Sequence, residues 1–158
     1  MRNMRRGFTM IELVFVIVII GILAAVAIPK LAATRDDAKA GAIKSDIGTA
    51  MSAIPAWYQG QKEADIVRAM AIDENVWVLS GGGCVATYTD EASGTVTMTL
   101  EDNASQALTS CPDTTTNPVM LHIELDPDTT SGIVKMLVDD YNMPTEQNVT
   151  VSGQKVKW

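Results

Sequence analysis

The residue types that carry most enzymatic chemistry occur here singly or without partners. His122 is the single histidine of this 158-residue chain, and neither Cys-x-x-Cys nor His-Glu-x-x-His is present. Gly81-Gly82-Gly83 is not followed by the Gly-Lys-Ser/Thr that would complete a phosphate cradle, so it reads as a loop. A catalytic group needs a second group to activate or orient it, so no catalytic residue, cofactor or metal centre is assigned and the chain reads as a non-enzyme. His122 alternates with Leu121 and Ile123 and reads as a surface or rim residue. Asp126, Asp128, Asp139 and Asp140 offer oxygen ligands of the kind calcium takes, but Asp-Pro and Asp-Asp equally suit solvated turns, which is the preferred reading.

Three other features could carry chemistry of modification. Asn103-Ala104-Ser105 and Asn148-Val149-Thr150 both fit the N-glycosylation acceptor pattern, and Glu101 and Glu146 stand two residues before the asparagines. Bacterial N-glycosylation systems often require an acid at that place; the alternative is polar turns beside strands. Cys84 and Cys111 both lie beyond the basic and apolar N-terminal stretch, where positive-inside orientation would place them in an oxidising space, so one disulfide is the natural pairing; the alternative is two buried free thiols.

The third feature is Glu12, an acid inside a run that is otherwise nearly unbroken in its apolar character from Phe8 to Ile28. Those 21 residues would make a helix of about 30 Å, enough to cross a bilayer once. A carboxylate within such a helix costs roughly 2.5–3.5 kcal/mol on insertion scales, so it needs a role, a partner or a place at the interface. Arg2, Arg5 and Arg6 precede the run and Gly7 separates them from it. In a secretory signal the small residue follows the apolar core; here it comes first, so a cut after Gly7 would remove the basic head and keep the anchor.

The stretch Arg6-Gly7-Phe8-Thr9-Met10-Ile11-Glu12-Leu13 closely resembles the prepilin cleavage and methylation motif of type IV pilins and type II secretion pseudopilins. The resemblance covers residues 6–36. It implies cleavage between Gly7 and Phe8 by a membrane-embedded prepilin peptidase and N-methylation of Phe8. It implies also that Glu12 meets the terminal amine of Phe8 on an adjacent subunit during assembly. An unpaired charge inside an apolar bundle is penalised far more than a misplaced valine, so that pairing would set the stagger. Pro29 removes one helical hydrogen bond and marks a kink or a segment that loses helical order in filaments, as is common in the family.

Beyond Pro29, apolar positions Ile43, Ile47, Ala50, Met51, Ile54, Trp57 and Tyr58 recur at steps of three and four, an amphipathic helix whose opposite face carries Arg35, Asp36, Lys39, Lys44 and Asp46. Pro55, Gly60 and Gln61 place its end near residue 60. Lys62 to Ala71 reads as a short helix with Glu63 and Asp65 near its start. The period then becomes two at Val96-Met98-Leu100 and at Val119-Leu121-Ile123-Leu125, and Val76 to Leu79, Cys84 to Tyr88, Ile133 to Val138 and Val149 to Val156 are further strand candidates. The expected fold is α+β: a long N-terminal helix, membrane-spanning in its first half and amphipathic in its second, packed on a small antiparallel sheet. The expected segments are a leader at 1–7, a membrane and filament-core helix at 8–28, a stem at 29–60 and a head at 61–158.

The formal net charge is −7, and removing residues 1–7 leaves 9 basic against 19 acidic residues, or −10. Such a chain repels phosphate backbones, so nucleic acid is not an expected partner. The expected function is that of a structural subunit of a type IV pilus-like filament or type II secretion pseudopilus. Its expected partners are copies of itself in a helical homopolymer, the prepilin peptidase, an inner-membrane assembly platform and minor pilins. Its place is the inner membrane, single-pass with a periplasmic head, and after assembly a filament in the periplasm or at the cell surface. The alternatives are a minor pilin acting as an adhesive or ligand-binding tip, and an enzyme or sensor on an ordinary signal anchor. Two departures leave the subfamily open: 47 residues follow Cys111, where many pilins close a C-terminal loop, and the aspartate spacing does not match a pseudopilin calcium loop.

Overall fold

The computed structural model describes residues 8–90, 94–102, 104–113, 119–127 and 132–152. Helix α1 runs Met10–Gln61 and remains helical through Pro29. The chain divides into two compact units, 1–36 and 37–158. In the first, the apolar side chains of α1 from Met10 to Leu31 are exposed along its length, as suits a segment whose solvent is not water. This helix is long and apolar enough to cross a membrane.

In the second unit Ala40, Ile43, Ile47, Ala50 and Ile54 of α1 are buried, a stripe at steps of three and four that packs into the core. After α1 come α2 (Ile66–Met70) and a five-stranded sheet: β1 (Val78–Ser80), β2 (Val85–Asp90), β3 (Gly94–Glu101), β4 (Met120–Asp126) and β5 (Glu146–Thr150). The strands lie in chain order and every neighbouring pair is antiparallel. Registers such as Ala86 opposite Met98 and Met98 opposite Ile123 place apolar residues of successive strands in one row. Val96, Met98, Leu100, Leu121, Ile123 and Leu125 are all buried on that face, with threonines and acids between them turned outward. The α+β architecture is therefore a long N-terminal helix with a five-stranded antiparallel sheet.

One predicted strand is a helix. Ile133 to Val138 lies in α3 (Ile133–Asp139), where Ile133, Val134 and Leu137 are buried at the i, i+1, i+4 spacing of a helix face. Lys135 and Asp139 pair one turn apart at 2.6 Å, an interaction no strand would offer. Three others shift. The helix expected from Lys62 to Ala71 narrows to α2, which starts where Asp65 Oδ1 accepts from the Arg68 amide and stops where Ala71 takes a left-handed conformation. The strand at Val76 to Leu79 begins two residues later. The strand expected at Val149 to Val156 coincides with β5 only at Val149 and Thr150: β5 begins at Glu146, Val151 and Ser152 lie outside the strand, and 153–156 lie outside the described residues.

Candidate functional site

The site begins at the first turn of α1. Thr9 precedes the helix, and the Leu13 amide donates to its carbonyl to close the first helical ring. The Thr9 amide and hydroxyl donate to Glu12 Oε2 at 2.9 and 2.8 Å, and the Glu12 amide donates back to Thr9 Oγ1 at 3.3 Å. This is a capping box: the two ends of a four-residue segment satisfy each other's orphan donors before the apolar run starts. A negative carboxylate in the first turn also meets the positive end of the helix dipole. Glu12 is thus held at the mouth of the apolar helix rather than standing alone within it.

Around this box everything is apolar and open. Phe8 is 87% exposed, Met10 81% and Ile11 78%, so the surface that flanks Glu12 has no partner among the described residues of the chain. Gly7, on the other side of the expected cut, lies outside the described residues. Pro29 is exposed and inside α1.

A second set of residues ties the C-terminal part of α1 to the rest of the second unit. Asp46, expected on the solvent face, is half-buried, and its Oδ2 accepts from the indole nitrogen of Trp77 at 2.9 Å. Trp77 is fully buried and packs against Tyr88, so this bond satisfies a donor that otherwise has no water to reach. Lys44 lies 4.6 Å over the ring of Tyr141. Patterning missed Asp46 because a helix with a wide apolar stripe takes its bordering polar residues part-way in. The signal that could have found it is a tryptophan in the head that needs an acceptor.

Cys84 and Cys111 are joined in a disulfide with Cα atoms 5.3 Å apart. Beside it Gly81, Gly82 and Gly83 all have positive φ and make a tight turn within the loop that joins β1 to β2. A Cβ on Gly82 would lie 2.9 Å from Ser110 Cα, so backbone approaches backbone there, and the Cys111 amide donates to the Gly82 carbonyl.

His122 is half-buried on the outer face of β4, and its Nδ1 lies 2.7 Å from Oδ1 of Asn148 on β5. Asn148 is exposed, while Asn103 and Asp128 lie outside the described residues. Among the described residues no group of three acids, histidines or cysteines is placed to hold a metal ion, and Asp139 is drawn to Lys135 instead.

Comparison with known proteins accounts for this arrangement. A family model described as the prokaryotic N-terminal methylation motif matches residues 2–28. The chain is 32% identical to a type IV major fimbrial protein, FimA, of Dichelobacter nodosus, over 68% of this chain and 78% of that one. It is 42% identical to a type II secretion system core protein G of Pseudomonas aeruginosa, over 34% of this chain and 37% of that one. No solved structure matches the chain at a significant level. An apolar N-terminal helix with this motif fits a membrane-anchored protein. The match to the fimbrial protein spans most of both chains, and the chain therefore belongs to the type IV pilin and pseudopilin family, whose members are structural subunits and not enzymes.

Proposed function

We propose that the chain is an assembling filament subunit whose leader, residues 1–7, is removed between Gly7 and Phe8, whose new terminal amine on Phe8 is methylated, and whose Glu12 then guides insertion into the filament. The observation that carries this reading is the Thr9–Glu12 capping box at the start of an exposed apolar helix. While the subunit waits in the inner membrane with its head in the periplasm, Thr9 supplies hydrogen bonds to the carboxylate and so reduces the cost of keeping it near the bilayer. In the filament the charged Phe8 amine of a neighbour replaces them. Two opposite charges neutralised inside an apolar bundle make a misplaced subunit costly, which selects one stagger.

In this reading residues 8–28 serve first as anchor and then as filament core, 29–60 as stem and 61–158 as head. Pro29 leaves α1 one hydrogen bond short at the junction and is where the helix yields when it packs among others. The prepilin peptidase, an inner-membrane assembly platform and minor pilins are the partners such a cycle requires. The fimbrial match covers twice the share of this chain that the secretion-protein match does, which supports a pilus over a pseudopilus.

Intact mass and peptide mapping of the protein recovered from its native cell test the reading. Filament fractions should contain a chain that begins at methylated Phe8, and a Glu12→Val variant should be cleaved but absent from filaments. A functional chain that retains Met1 to Gly7 would overturn it.

A further inference from the structure

We propose that Asn148 is an acceptor for an N-linked oligosaccharide and that Glu146 and Thr150 are the side chains by which a bacterial-type transferase recognises it. In β5 the residues alternate, with Glu146, Asn148 and Thr150 exposed and Gln147 and Val149 half-buried. The acid two places before the asparagine and the hydroxyl two places after it therefore leave the strand on the same side as the asparagine. Among the described residues β5 is an edge strand, paired with β4 alone, which leaves one side of its extended backbone without a strand partner for an enzyme that must lie along it.

The neighbours fit the chemistry. The register sets Asn148 opposite His122, and the contact between His122 Nδ1 and Asn148 Oδ1 engages the carboxamide oxygen of the acceptor. Its nitrogen, the atom that would be glycosylated, makes no hydrogen bond among the described residues. Glu146 stands opposite Glu124 and has no cation paired to it among the described residues, which leaves its carboxylate free for a basic group on the transferase. The co-substrate is a lipid-linked oligosaccharide. The amide nitrogen of Asn148 forms a bond to the anomeric carbon, the bond from that carbon to the lipid pyrophosphate breaks with its electron pair going to the pyrophosphate, and the amide proton is lost to a base of the transferase.

The inference rests on the proposed export of the head, because the transferase acts outside the cytoplasm. The test expresses the full chain in bacteria that carry a lipid-linked oligosaccharide and a transferase requiring an acid two residues before asparagine. Glycopeptide mapping and thiol alkylation of Cys84 and Cys111 are read on the same sample. The expected result is an oxidised cysteine pair with a glycan on Asn148. That glycan is lost in Asn148→Gln and in Thr150→Ala, kept in Asn103→Gln, and reduced roughly tenfold in Glu146→Gln, as the loss of one charge-assisted contact implies. An oxidised pair with Asn148 unmodified, in cells where a control acceptor is glycosylated, overturns the assignment. Equal occupancy in Glu146→Gln overturns the recognition role. Reduced thiols with no glycan overturn the export reading and this inference with it.

Discussion

At the scale of single residues, hydrogen bonds to carboxylates decide most of what is specific here. Trp77 is fully buried and donates to Asp46, so Asp46→Ala leaves an indole N–H without an acceptor. A hydrogen bond to a charged group contributes about 1.5–3 kcal/mol, so unfolding of the full chain in detergent should shift by that amount, with a smaller loss for Asp46→Asn, which keeps a carbonyl acceptor. An unchanged tryptophan-monitored denaturation curve for Asp46→Ala would show that the bond is not made. Thr9 provides the parallel case: Thr9→Val removes a hydroxyl that both donates to Glu12 and accepts from its amide, a capping loss of about 1 kcal/mol, whereas Thr9→Ser keeps the hydroxyl. Because those bonds serve the subunit waiting in the membrane and are replaced in the proposed filament, the pool of unassembled cleaved subunit should shrink in the valine variant and not in the serine variant, as immunoblots of membrane and filament fractions would show. The third carboxylate is Asp73, whose Oδ1 accepts from the backbone and then from the side-chain nitrogen of Asn75, which lowers its pKa below the ordinary 3.8. A carboxylate with a folded pKa below its unfolded one adds stability that is complete above the unfolded value and lost as pH falls through the folded value. Wild type should therefore lose stability relative to Asp73→Asn as pH is lowered past 3.8, and parallel acid titrations of the two would expose any error in that sign.

Elements differ in how openly their residues announce them. The 3.6-residue period of α1 from Ala40 to Ile54 and the two-residue period of β3 and β4 were legible because each of these stretches buries one face. The capping box was missed although Thr9-x-x-Glu12 carries its signature, because the apolar run after it draws attention to the charge and away from its partner. Ile133 to Val138 was not, because its β-branched residues favour a strand and a seven-residue helix offers only two turns of pattern to set against them. Asp46 was misplaced for a related reason: its position depends on Trp77, a residue 31 places away that no local window contains. The disulfide belongs to this scale as well. It closes a loop between residues 27 apart, for which the chain-entropy estimate is about 3–4 kcal/mol, so a Cys84→Ser, Cys111→Ser double variant should unfold at a markedly lower denaturant concentration. Gly82→Ala should mimic part of that loss, since its Cβ meets the backbone of Ser110 in the turn that the disulfide anchors. If reduction leaves the denaturation midpoint in place, the turn and not the bond between cysteines organises this end of the head.

For the whole molecule, the distribution of charge is the property a filament inherits. Removing residues 1–7 takes away three arginines and moves the formal net charge from −7 to −10; 15 of the 19 acids follow residue 61, while the apolar segment that would enter a filament core has Glu12 as its one charged side chain before Lys30. In the proposed filament, packing many copies would bring the apolar segments together and concentrate the acidic parts at the surface, where like charges would resist further association. Lateral contact between filaments is therefore opposed at neutral pH and low salt, and this opposition weakens when the carboxylates titrate or when salt shortens the screening length to about 8–10 Å. Purified filaments should stay dispersed at pH 7 in dilute buffer and bundle as the pH falls to about 4.5, with light scattering rising over the same interval. Added salt at pH 7 should produce a weaker version of the same effect. Bundling that is indifferent to both pH and salt would mean that apolar contacts between heads, and not their charge, set the spacing of filaments.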